Sequence, residues 1–133
     1  MNQTPAKNSP HYAACKVGDA SFTIGAEAGN AINVAIQLKN DRGQDVYESC
    51  HVFGYLSSNA DGSTIVGTAP NSGIAIGTDG LMIEVISDKA FHLISEADGD
   101  IDITFSESGV ATFYLVLCMP SGHLKISGPI TFA

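Results

Sequence analysis

Nowhere along the 133 residues do apolar side chains recur at helical spacing over ten positions; they alternate instead, in short runs cut by turn residues. "INVAIQL" is the plainest case. Ile32, Val34, Ile36 and Leu38 fall on one side and Asn33, Ala35 and Gln37 on the other, the pattern of a strand with one buried face. Strand-like runs continue with "VYESCHVFGYL" (46–56), "TIVG", "GIAIG", "LMIEVI" (81–86), "AFHLIS" (90–95), "IDITF" (101–105), "ATFYLVLCM" and "HLKISGPITF". Between them lie "NDRGQD" (40–45), "NADGS" (59–63), "TAPNSG" (68–73) and "EADGD" (96–100), rich in residues that accept tight or left-handed backbone. Eight or nine such runs, with no helix to cross between parallel strands, predict an all-β fold. The expected architecture is a single antiparallel β-sandwich, immunoglobulin-like or jelly-roll-like. The chain has no Trp, and no early-strand Cys to pair with Cys118, so the antibody hallmarks are missing.

The length suits one domain. Residues 1–12 are polar and contain Pro5 and Pro10, and read as an extended N-terminal arm without a core of its own. His11 and Tyr12, the large rings at its base, are the candidate anchors to a partner surface. Residues 13–133 form the sandwich. The N-terminal stretch has no apolar core of the kind a signal peptide needs, which predicts synthesis in the cytoplasm without export. No apolar run approaches the ~18 residues of a membrane span.

Two strands carry large apolar residues on both faces. Phe113, Leu115, Leu117 and Met119 point one way, and Tyr114, Val116 and Cys118 the other; in "VFGYL", Phe53 and Tyr55 lie opposite Val52 and Leu56. A sandwich strand needs only one apolar face. If these strands are neighbours, Tyr114, Val116, Phe53 and Tyr55 form an apolar patch. Its cover is expected to be another subunit or another protein, or else a loop of the chain itself. A homo-oligomer is expected, with a trimer as its form.

Charge narrows the partners. The formal net charge is −8, with only six Lys and Arg, and these are scattered. No basic patch exists to neutralise phosphates, which argues against nucleic acid and against an anionic membrane surface.

The segment "CMPSGHLK" (118–125) poses a chemical question. Cys118 and His123 have the Cys-x4-His spacing of azurin-type blue-copper loops, and His51 could serve as the upstream histidine. Ser127 stands where such loops carry Met, and Val52 follows His51 where they carry Asn. The expectation is therefore a hairpin turn with Cys118 as a small packing group. In "EADGDID", Glu96, Asp98, Asp100 and Asp102 resemble the start of a calcium loop, but Ile103 and Gly109 occupy the required Gly and Glu positions. Neither GxSxG, HExxH nor a phosphate loop occurs. The sequence thus predicts a non-enzymatic protein with no catalytic residues, metal or cofactor.

The run from "INVAIQLKNDRGQDV" through "GIAIGTDGL" and "DGDIDIT" to "TFYLVL", a "PxG" hairpin and the terminal "ITFA" resembles a group of small tailed-phage virion proteins. The resemblance covers residues 28–133. It implies a structural role on the particle, of the head decoration (cement) type, with the major capsid protein as partner and the capsid surface as location. A tail or fibre component, a carbohydrate- or ligand-binding adhesin domain, and a cupredoxin-like copper protein using Cys118 and His123 stay open as alternatives.

Overall fold

The computed structural model describes residues 17–133, which contain ten strands and no helix. They are β1 (Asp19–Ile24), β2 (Ala31–Lys39), β3 (His51–Ser57), β4 (Ile74–Ile76), β5 (Leu81–Ile86), β6 (Ala90–Ile94), β7 (Asp100–Ser106), β8 (Ala111–Cys118), β9 (Leu124–Ile126) and β10 (Ile130–Phe132). One sheet has four strands in the order β1-β2-β7-β4; the other has six, β10-β8-β3-β6-β5, with β9 also pairing β8. All pairings are antiparallel. The chain crosses between sheets after β2, β3, β4, β6 and β7, so the two sheets must pack face to face. The antiparallel β-sandwich expected from the sequence is the observed architecture.

The alternation in "INVAIQL" does what its period dictates. Ile32, Val34 and Ile36 stand opposite Phe105, Ile103 and Ile101 of β7, and all six are buried. They form one wall of the core. The other wall is Val52 and Leu56 of β3, Phe91 and Leu93 of β6, Leu115 and Leu117 of β8, and Ile130 and Phe132 of β10. Phe113 and Phe132 meet edge to face at 6.2 Å, a favoured aromatic geometry. Gly54 makes room in this wall. A Cβ there would come within 2.9 Å of Phe91 Cε1 and 3.3 Å of Leu117 Cδ2, so the missing side chain is the space the Phe91 ring fills.

The strand boundaries depart from the sequence reading in four places. β1, "DASFTI", was not anticipated, although Ala20, Phe22 and Ile24 alternate as in β2. The run 46–56 enters the ladder only at His51. Val46 instead donates to the Leu38 carbonyl, and Cys50 donates to Ser95 Oγ at 2.9 Å. "TIVG" forms no strand; Val66 donates a hydrogen bond to the Leu56 carbonyl. The last run splits into β9 and β10, both on β8. Pro129 lacks a donor for a continuous ladder, and buried Ser127 closes the gap. Its hydroxyl accepts from the Leu115 amide at 2.9 Å and donates to the Gly128 carbonyl at 2.7 Å.

Candidate docking face

The outer face of the six-stranded sheet is built from cross-strand rows. Ile83, His92, Phe53, Cys118 and Leu124 stand side by side across β5, β6, β3, β8 and β9. Leu81, Ile94 and His51 form a second row, and Ile86, Ala90, Tyr55, Val116 and Ile126 a third. β3 and β8 are neighbours, so the apolar residues foreseen on their outer sides do share one surface. None of the three rows contains a Lys, Arg, Asp or Glu. Leu81, Ile83 and Ile86 are each about half exposed and Leu124 is exposed, while Phe53, Ile94 and Cys118 are partly covered. β5 is also the edge of the sheet, and Val85 at its bulge is exposed as well.

One of the expected interface residues is corrected. Val116 is 0% exposed within the chain itself. The turn 59–63 folds back over it: a Cβ on Gly62 would lie 3.1 Å from Val116 Cγ2 and 3.2 Å from Ile126 Cδ1. Gly62 also has φ +67°, which a side chain tolerates poorly. Tyr55 fastens the turn by donating its hydroxyl to the Gly62 carbonyl. Asn59 Nδ2 donates to Ser63 and Thr64 at 3.1 Å each. Val116 is therefore a core residue under a loop, and no partner can reach it. Phe53, Tyr55 and Tyr114 keep partial exposure on the face. The proposed anchors His11 and Tyr12, and the arm 1–12 as a whole, lie outside the described residues.

"CMPSGH" is a hairpin loop. Cys118 pairs with Leu124, Met119 donates to the His123 carbonyl at 2.8 Å, and Gly122 turns the chain with φ +90°. Burial pushes the Cys118 thiol above its ordinary pKa, so at neutral pH it is an uncharged packing group. His51 faces His92, with Nε2 and Nδ1 2.7 Å apart. Among the described residues no three His, Cys, Asp or Glu side chains are grouped to hold one metal ion. The azurin-like trio is thus not assembled.

A cluster of aspartates sits on the other sheet. Asp79, Asp100 and Asp102 line a shallow groove of about 230 Å³ beside Ser21, Thr23 and Gln37. Desolvation, then the neighbouring carboxylates, hold the pKa values of Asp79 and Asp100 above the usual range. Asp102 accepts from Thr78 and so ties that loop to β7, and Glu96, in the turn before β7, accepts from the Gly80 amide.

No protein-family model matches the chain, and no curated protein matches it. Among solved structures, a cohesin module from the Clostridium perfringens ATCC13124 family 33 glycoside hydrolase aligns over 88% of this chain and 94% of its own, with 13% identity and a TM-score of 0.37. A likeness at that level says nothing about what this chain binds.

Proposed function

We propose that the chain is a non-enzymatic structural protein of a tailed-phage virion, of the head decoration type. In this reading it docks through the outer face of its six-stranded sheet onto the major capsid protein and staples neighbouring capsid subunits. The observation that carries the docking is the charge-free face of Ile83, Phe53, Leu124, Leu81 and Ile94 on a rigid sheet. Interface centres are depleted in charge and enriched in aromatic and aliphatic groups. Four strand spacings by two or three rows make an area of about 300 Å². That is the core of a footprint; a stable interface takes about 800 Å² from each partner, so loops at the rim must contribute the rest. The virion assignment rests on the resemblance of residues 28–133 to phage structural proteins. Self-association as a trimer, through a surface other than the docking face, would multiply weak contacts on a symmetric shell.

The test is composition and occupancy of purified particles. Mass spectrometry should find the chain at a stoichiometric copy number, and Ile83→Asp or Leu81→Asp, both at half-exposed positions, should lower occupancy while the isolated protein keeps its melting temperature. Absence of the chain from particles would refute the virion reading. Unchanged occupancy in both variants would refute the docking face alone.

A further inference from the structure

We infer that His51 and His92 form a two-nitrogen binding site for a divalent transition-metal ion, Cu(II) above all. The pair is a product of strand pairing. His51 stands opposite Ile94, and His92 opposite Phe53, so the two imidazoles are diagonal neighbours on the outer face of β3 and β6. His51 Nε2 and His92 Nδ1 lie 2.7 Å apart, with ring centroids at 4.9 Å and planes tilted by 32°. Phe53 sits edge-on to His92 at 5.3 Å and limits where that ring can swing.

The contact requires that one nitrogen donate a proton and the other offer a lone pair. A cation that accepts two lone pairs can take the place of that shared proton. The donor ring then carries its proton on its far nitrogen, and both near nitrogens turn toward the metal. Two bonds of ~2.0 Å meeting at a right angle, as in square-planar Cu(II), set their nitrogens about 2.8 Å apart. A tetrahedral ion with the same bond length needs about 3.3 Å. The observed 2.7 Å is nearer the first; the 4.9 Å between ring centroids shows the two nitrogens aimed at each other, so each imidazole must turn by roughly 45° to chelate. The intrinsic order of affinity, Cu(II) above Zn(II), selects the ion. His51 is exposed, so the ion has a path in and room for water on its remaining positions. This site shares no residue with the Cys118–His123 hairpin.

The chain has four histidines, which makes the test clean. In a tag-free His11→Gln, His123→Gln background, the imidazoles left are those of the pair. Titration with Cu(II) should load one ion per chain, with superhyperfine coupling to two nitrogens in the electron paramagnetic resonance spectrum, and Zn(II) should bind at least tenfold more weakly. Adding His51→Gln or His92→Gln should weaken Cu(II) binding at least tenfold and remove the two-nitrogen signature, with the melting temperature of the metal-free protein unchanged. Binding that survives either added substitution, or a spectrum with one coupled nitrogen in the background protein, would overturn the inference.

Discussion

Replacing Val116 by alanine separates a loop-covered core residue from an interface residue. Val116 has no exposed surface, both its γ-methyls lie under Gly62, and Ile126 is its ladder neighbour. Truncation removes two carbons, or roughly 1.6 kcal/mol at ~0.8 kcal/mol per buried methylene. The turn above cannot settle freely into the space, because Tyr55 ties it to β3 and Asn59 braces it from within, and an unfilled cavity adds to the cost. Together these give about 2–3 kcal/mol. A chain of this length loses roughly 3–5 °C of melting temperature per kcal/mol, so the midpoint should fall by about 6–15 °C. The measurement is calorimetry at a concentration where sedimentation shows a single species. Ile83→Ala, at a half-exposed position of the same face, should stay within about 0.5 kcal/mol of the parent in the same assay. A Val116→Ala shift below ~2 °C in dilute protein that grows with concentration would refute the reasoning. It would mean that a neighbouring copy covers Val116, not the turn 59–63.

Ser127→Ala should cost about 1–3 kcal/mol, because it strands the buried Leu115 amide; hydrogen exchange should show that amide losing protection ahead of its β8 neighbours. Asp100→Asn should raise the melting temperature near neutral pH. A folded pKa above the unfolded one means that the folded chain binds more protons through that window, so stability falls as pH rises through it. The gain from the substitution should therefore shrink as the pH is lowered through the carboxylate range, and also as salt screens the cluster.

Much of the core was legible because burial follows a local rule. Each residue of β2 and β8 assigned to the inner face by alternation is buried there. β1 obeys the same rule and could have been found from Ala20, Phe22 and Ile24. The split between β9 and β10 was foreshadowed by Pro129, but Ser127 standing in for a ladder partner was not, since a serine in a strand-like run carries no sign of what it will meet. The candidate face was half legible. The two-sided apolarity of "VFGYL" and "TFYLVL" marks two strands that the fold makes neighbours, whereas nothing in "LMIEVI", which reads like any buried strand, marks the exposed row on β5.

The amino-acid sequence by itself determined the all-β class, the inward side of most strands and the net negative charge, because alternation is a property of neighbouring residues and charge one of composition. Tertiary structure decided what lies next to what. It set Ile83, His92, Phe53, Cys118 and Leu124 in one row across five strands. It laid the turn 59–63 over Val116, and it brought together two histidines 41 positions apart. Those outcomes depend on which strands pair and on the path each loop takes back across the sheet. Both are fixed by the packing of the whole sandwich, so no single stretch of sequence carries them.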